Sequence, residues 1–269
     1  MAMREDAECL APDIIVKSAD VTIRQVRHEI AHRVVGELHE QLPNETLLCF
    51  LDDEDWKAAR CEASEGRGFY SPARDLDTWP PPPQYIEDAL GKNGVVAYQN
   101  FVYLFGSTCS ILEGLAMTLA HELQHFMQHG TSKTAWAMGT IASTLLRDLE
   151  MRQVNEIGVN SWCDVPIERH AWTTGKRVAE AVLGRDAVRK YIDTRIAAAR
   201  PVDLADWKFL REIDASQAFD FDAEMASFMP RLSAHRNKLE EYLNDLRRDP
   251  GLADIELDLW MRGTGRRTR

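Results

Sequence analysis

Two stretches of the chain carry the pattern His-Glu-x-x-His, "RHEIAHR" at 27–33 and "AHELQHF" at 120–126. Residues i and i+4 of an α-helix stand one above the other on a single face. Two histidines at that spacing can offer ring nitrogens to one zinc ion at about 2.0–2.1 Å. The glutamate that follows the first histidine lies beside them, where it can take a proton from water activated by the ion. The chemistry at issue is metal-assisted hydrolysis. Both stretches pass this test, so their surroundings must separate them.

In the first, Arg27 and Arg33 flank His28 and His32, and Arg24 lies one turn earlier. If Val26, Ile30, Val34 and Leu38 face a core, the histidines face the other way among cations, which disfavours a divalent ion. Gly36 and His39 each come one residue too late for the bend glycine and third histidine of the metzincin signature. A helix continued to His39 would carry that ring about 10 Å along the axis from His32. The expectation is a solvated helix face. In the second stretch the neighbours Thr118, Leu119, Ala120, Leu123, Gln124, Phe126 and Met127 are uncharged. Leu112, Leu115, Leu119, Leu123 and Phe126 form an apolar stripe, and His121 and His125 are expected on the opposite face, toward a cleft.

A catalytic zinc takes three protein ligands and keeps one position open. His129 lies one further turn along the same helix, and three successive turns of a straight helix cannot converge on one ion. A polar role near the helix end is expected for it instead. Glu168, in "DVPIERHAW", opens a later helix and can aim a carboxylate at the ion, although an acidic residue there also offsets the helix dipole. Asp148, Glu150, Glu156 and His170 remain as alternatives.

"LAHELQHF" followed downstream by "PIERHAW" resembles the gluzincin class of zinc metallopeptidases, and the compact size is similar to that of minigluzincins and ImmA/IrrE-like intracellular peptidases. The likeness covers roughly residues 45–185. It implies Zn2+ held by His121, His125 and Glu168, with Glu122 as general base and a protein or peptide as substrate. The Arg169-His170 pair beside the third ligand departs from the pattern. A second electrophile for the oxyanion would come from His170, Tyr103 or Tyr191. By analogy with such peptidases, a selective intracellular regulatory protease is expected. The rivals are an inactive zincin-fold binding or scaffold protein and a helical regulatory protein without metal.

The elements that must position these groups can be read from patterning. A helix is predicted over 20–42, a buried strand over 46–51, a helix over 54–63, a strand over 66–72 and an extended proline loop over 77–85. A strand within 94–106 would pair with substrate backbone as an edge. Helices follow at 110–129, ended by Gly130, at 134–153, and from Pro166 to Gly184. Beyond 186 the pattern is mostly helical until "ADIELDLW" (253–260), whose alternation suits an edge strand. That strand could also enter the cleft as a pseudo-substrate. The expectation is an α+β fold, zincin-like, with a small mixed sheet and an active-site helix in 1–185 and a helical annex in 186–269.

Composition narrows the partners. A net charge of −11 argues against a nucleic-acid or membrane-surface binder. The first residues lack the apolar core of a secretory signal. Five cysteines without CxxC spacing read as thiols in a reducing cytoplasm. Oligomeric state is not encoded in any feature of this kind.

Overall fold

The computed structural model describes residues 11–52, 68–72, 98–201, 203–249 and 251–265. The fold is α+β, a small mixed sheet combined with many helices. The predicted helix at 54–63 and the proline loop at 77–85 lie outside the described residues. The chain divides into two compact units, Met1–Met127 with Val178–Val188, and Gln128–Arg177 with Arg189–Arg269.

In the first unit, β1 (Asp13–Lys17), β2 (Leu47–Asp52), β3 (Gly68–Pro72) and β4 (Asn100–Leu104) form a sheet in the order β1-β2-β4-β3. β1 and β4 run parallel to β2, and β3 runs antiparallel to β4. Parallel neighbours need a crossover. Helix α1 (Val21–Leu38) is the crossover from β1 to β2. The Asp20 carboxylate caps it, accepting from the backbone N–H of Thr22 at 2.7 Å and of Ile23 at 3.2 Å. β2 is buried at every residue, as a strand flanked by two others and covered on both faces should be. One face of the sheet holds Leu48, Phe50, Phe101 and Tyr103, joined by Ile15, Phe69 and Tyr98. The Asn100 side chain accepts from the Tyr70 hydroxyl at 2.7 Å and donates to Glu45 at 2.9 Å, fixing the start of β4.

Two expectations change here, and one strand is added. β4 lies inside the sheet, between β2 and β3, so the strand within 94–106 is not an edge; β3 holds that end. The core face of α1 is Arg27, Ile30, Ala31, Val34, Val35 and Leu38, while Val26 is exposed. A strict i+4 ladder drifts around a helix by about 40° per step, because 3.6 residues make a turn. The ladder 26-30-34-38 therefore leaves the buried stripe at its first member. β1 had no counterpart in the sequence reading.

After a short turn of helix, α2 (Ser107–Ser110), comes α3 (Leu112–Thr131). Residues 114–124 are buried without interruption, so α3 is covered on all sides rather than on one stripe. It runs through Gly130, one residue beyond the predicted stop, and Ser132 then caps α4 (Lys133–Asp148) by accepting from the Ala135 N–H. The helix predicted over 134–153 is two helices, α4 and α5 (Met151–Glu156).

α6 (Pro166–Leu183) begins at the predicted proline and stops where Gly184 takes φ +92°, a conformation natural to glycine. α7 (Arg185–Ala198), α8 (Leu204–Glu212), α9 (Phe221–Phe228) and α10 (Arg236–Leu246) follow. In the second unit, α10 meets α4 through the Tyr242 hydroxyl, which donates to Asp148. "ADIELDLW" is not a strand. It ends in α11 (Leu257–Met261), and Ile255, Leu257 and Trp260 are buried. A pseudo-substrate role is thereby removed, because these side chains are part of a packed core. No helix among the described residues is long and apolar enough to cross a membrane.

Candidate metal centre

His121 and His125 occupy successive turns of α3, and Glu168 stands in the first turn of α6. Their ligand atoms all lie within 4.8 Å of one another, with His121 and Glu168 buried and His125 half-buried. The group could hold a metal ion. The two Nε2 atoms are 3.0 Å apart, with the rings nearly perpendicular at 89°. Two imidazole lone pairs at that separation repel unless a proton or a cation lies between them. Tetrahedral coordination at about 2.0–2.1 Å sets two nitrogens about 3.4 Å apart. The observed spacing is a few tenths of an ångström from that value, so the donor set fits a small divalent ion.

Glu122 is 6% exposed, and its Oε1 lies 3.9 Å from His121 Nε2. Glu122 therefore adds a second buried carboxylate beside His121.

The approach of α6 has identifiable causes. Gln128, one turn past His125 on α3, is 1% exposed and donates through Nε2 to the Ile167 carbonyl at 3.0 Å. From α4, Gly139 faces Ile167 so closely that a Cβ there would meet the isoleucine Cβ and Cδ1 at 2.8 Å. The residue directly before Glu168 is thus held through its backbone by one helix and through its side chain by another. Neither Gln128 nor Gly139 was singled out in the sequence. The available signals were an amide amid apolar neighbours on the motif helix and a glycine inside a helical pattern, which marks close packing.

Arg169, the residue after Glu168, pairs with Glu224 on α9. Its guanidinium also sits 5.2 Å over the Phe219 ring. His170 stacks on the same ring, with centroids 4.6 Å apart and planes at 12°. Positions i and i+2 of a helix do not share a face, so His170 projects away from the side that presents Glu168.

Tyr103 pairs across the sheet with Phe69, on the face opposite Tyr70 and Val102. Tyr70 is the residue whose ring meets Phe126 of α3, at 5.9 Å. Strand alternation therefore turns Tyr103 away from the motif helix. It lies instead against Phe69 at 4.8 Å, where burial pushes its phenol well above the usual range. Tyr191 meets Trp207 of α8 edge-on at 5.8 Å.

The other candidates for third ligand are engaged elsewhere. Asp148 accepts from Tyr242, Glu150 takes part in the capping box that opens α5, and Glu156 pairs with Arg152 at 3.2 Å. His129 is buried with its ring 4.8 Å from that of Trp136, a packed position rather than a solvated one. His28 and His32 are exposed on α1, and among the described residues no third ligand joins them in a cluster. Cys49, Cys109 and Cys163 are buried. Burial pushes the Cys49 thiol up to about 12 and raises Cys163 further, so neither offers a ready thiolate as ligand or nucleophile.

No family model, no curated protein and no solved structure matches this chain.

Proposed function

We propose that the protein is a zinc-dependent peptidase of zincin-like architecture, in which His121, His125 and Glu168 hold the ion and Glu122 is the general base. The observation that supports this most directly is the meeting of two imidazole nitrogens and a distant carboxylate within 4.8 Å, with a further carboxylate 3.9 Å from one of those nitrogens. Zinc, when bound, supplies the Lewis acidity that makes water nucleophilic near neutral pH and polarises a carbonyl.

The remaining chemistry belongs to the chain. Glu122 accepts the proton of the attacking water and returns it to the departing nitrogen, so that the C–N bond breaks with an amine, not an amide anion, as leaving group. Burial keeps bulk water from competing for that proton. His170, Tyr103 and Tyr191 are engaged in stacking, so the oxyanion's second donor is not assigned to any of them.

Glu122→Gln tests this reading. The amide keeps the shape and loses the base. Metal content should be unchanged, and hydrolysis of a quenched-peptide library should fall by about 10²- to 10⁴-fold. A second reading, a zincin-like metal-holding scaffold without turnover, is favoured by the burial of His121, Glu122 and Glu168. Wild-type protein that carries zinc yet cleaves no peptide in that library, at a rate no different from Glu122→Gln, would establish the scaffold and reject the peptidase.

A further inference from the structure

The second His-Glu-x-x-His stretch, on α1, takes no part in the site above. Its two rings are nonetheless already paired. His28 and His32 have centroids 4.4 Å apart with planes at 70°, against 4.6 Å and 89° for His121 and His125. Both are exposed.

The arginines around this pair are turned to other partners in the fold, with Arg24 still lining the hollow beside His28. Arg27 is 5% exposed and belongs to the core face of α1. The Arg33 guanidinium is drawn to the Val182 carbonyl, and that of Arg24 donates to the Ser18 carbonyl at 3.0 Å. Access is open as well. Gly36, one turn beyond His32, has nothing within 4 Å of where a Cβ would stand. A surface hollow of about 320 Å³, lined by Val16, Arg24, Gln25, His28 and Glu29, adjoins the first ring. Glu29 adds a carboxylate to its wall.

From these facts we infer that α1 carries a second, labile metal site, in which His28 and His32 chelate a borderline divalent transition ion and water fills the remaining positions. Imidazole ligands suit Cu2+, Ni2+ and Zn2+, and for a given nitrogen site Cu2+ binds most tightly. Exposed ligands need no desolvation, and the helix fixes their spacing in advance. With two protein ligands rather than three and solvent on every open side, the ion exchanges freely. This site therefore samples metal in the surroundings, whereas a buried three-ligand site retains what it has. The inference does not depend on the peptidase reading.

The test is a Cu2+ titration of the protein as purified, followed by electron paramagnetic resonance, on wild type, His32→Ala, His28→Ala/His32→Ala and His39→Ala. His39 is an exposed histidine on the same segment and serves as a control. Wild type and His39→Ala should bind one equivalent more than the buried group alone takes up, with a nitrogen-coupled signal. The double variant should lose that equivalent, and His32→Ala should weaken it. Circular dichroism identical to wild type is expected for all three, since surface substitutions seldom disturb folding. The site is rejected if the double variant keeps the equivalent, or if His32→Ala binds it as tightly as wild type.

Discussion

The helices α1 and α3 carry the same five-residue pattern in opposite surroundings. In α1 the histidines stand on the exposed side of a crossover helix whose buried face begins at Arg27. In α3 the same spacing buries His121 and Glu122 and leaves His125 half-buried beside them. A buried polar group must find a partner or bring in a counter-charge, whereas an exposed one is satisfied by water. The pattern supplies the spacing in both places. Burial, and the arrival of a carboxylate from another helix, turns spacing into a cluster of three potential ligands.

The contrast is most directly broken by removing ligands. His121→Ala or Glu168→Ala should reduce tightly bound metal to background, read by elemental analysis after gel filtration, while His28→Ala leaves it unchanged. Equal loss from both helices would mean that burial does not separate them.

Gly139→Ala should follow in size. A methyl group 2.8 Å from Ile167 forces either α4 or the start of α6 to move. Overpacking of this kind costs about 1–3 kcal/mol, measurable by urea unfolding of the metal-free protein. Metal affinity should fall with it, and an unchanged affinity would show that α6 does not need this contact to aim Glu168.

Gln128→Ala removes the amide that holds the Ile167 carbonyl. Supporting contacts around metal ligands are typically worth about 10- to 100-fold in affinity, so zinc competition with a chelator should show a drop in that range. The smallest effect belongs to α1. Asp20→Ala should lower stability by about 1 kcal/mol through loss of the cap while tight metal binding stays as it was.

Much of the architecture around the motif was legible in local sequence. Pro166 and Gly184 bracket α6 as proline and glycine signals predict. Glu168 could be nominated because it opens a new helix after a convincing motif. Features that depend on distant partners were not legible. β1 is five residues whose strand character rests on pairing with β2. β4 has a strong strand pattern, yet nothing local reveals that β3 closes its other side. In "ADIELDLW", alternation over a few residues also fits Ile255, Leu257 and Trp260 turning inward at the entry to a short helix. The apolar character was read correctly there, and the period was not. For His129 the sequence gives only a polar residue near a helix end, and the fold brings Trp136 against its ring.

The buried tail helix also changes how shortened proteins are to be interpreted. Leu257 and Trp260 are each 2% exposed, and a side chain at Gly265 would strike Ala226 at 2.7 Å. Clipping the last two dozen or so residues therefore strips interior surface rather than lifting off an ornament, so a gain or loss of activity after such a cut reports on damage to the second unit. A tag placed at that extremity needs a spacer long enough to leave the tryptophan seated.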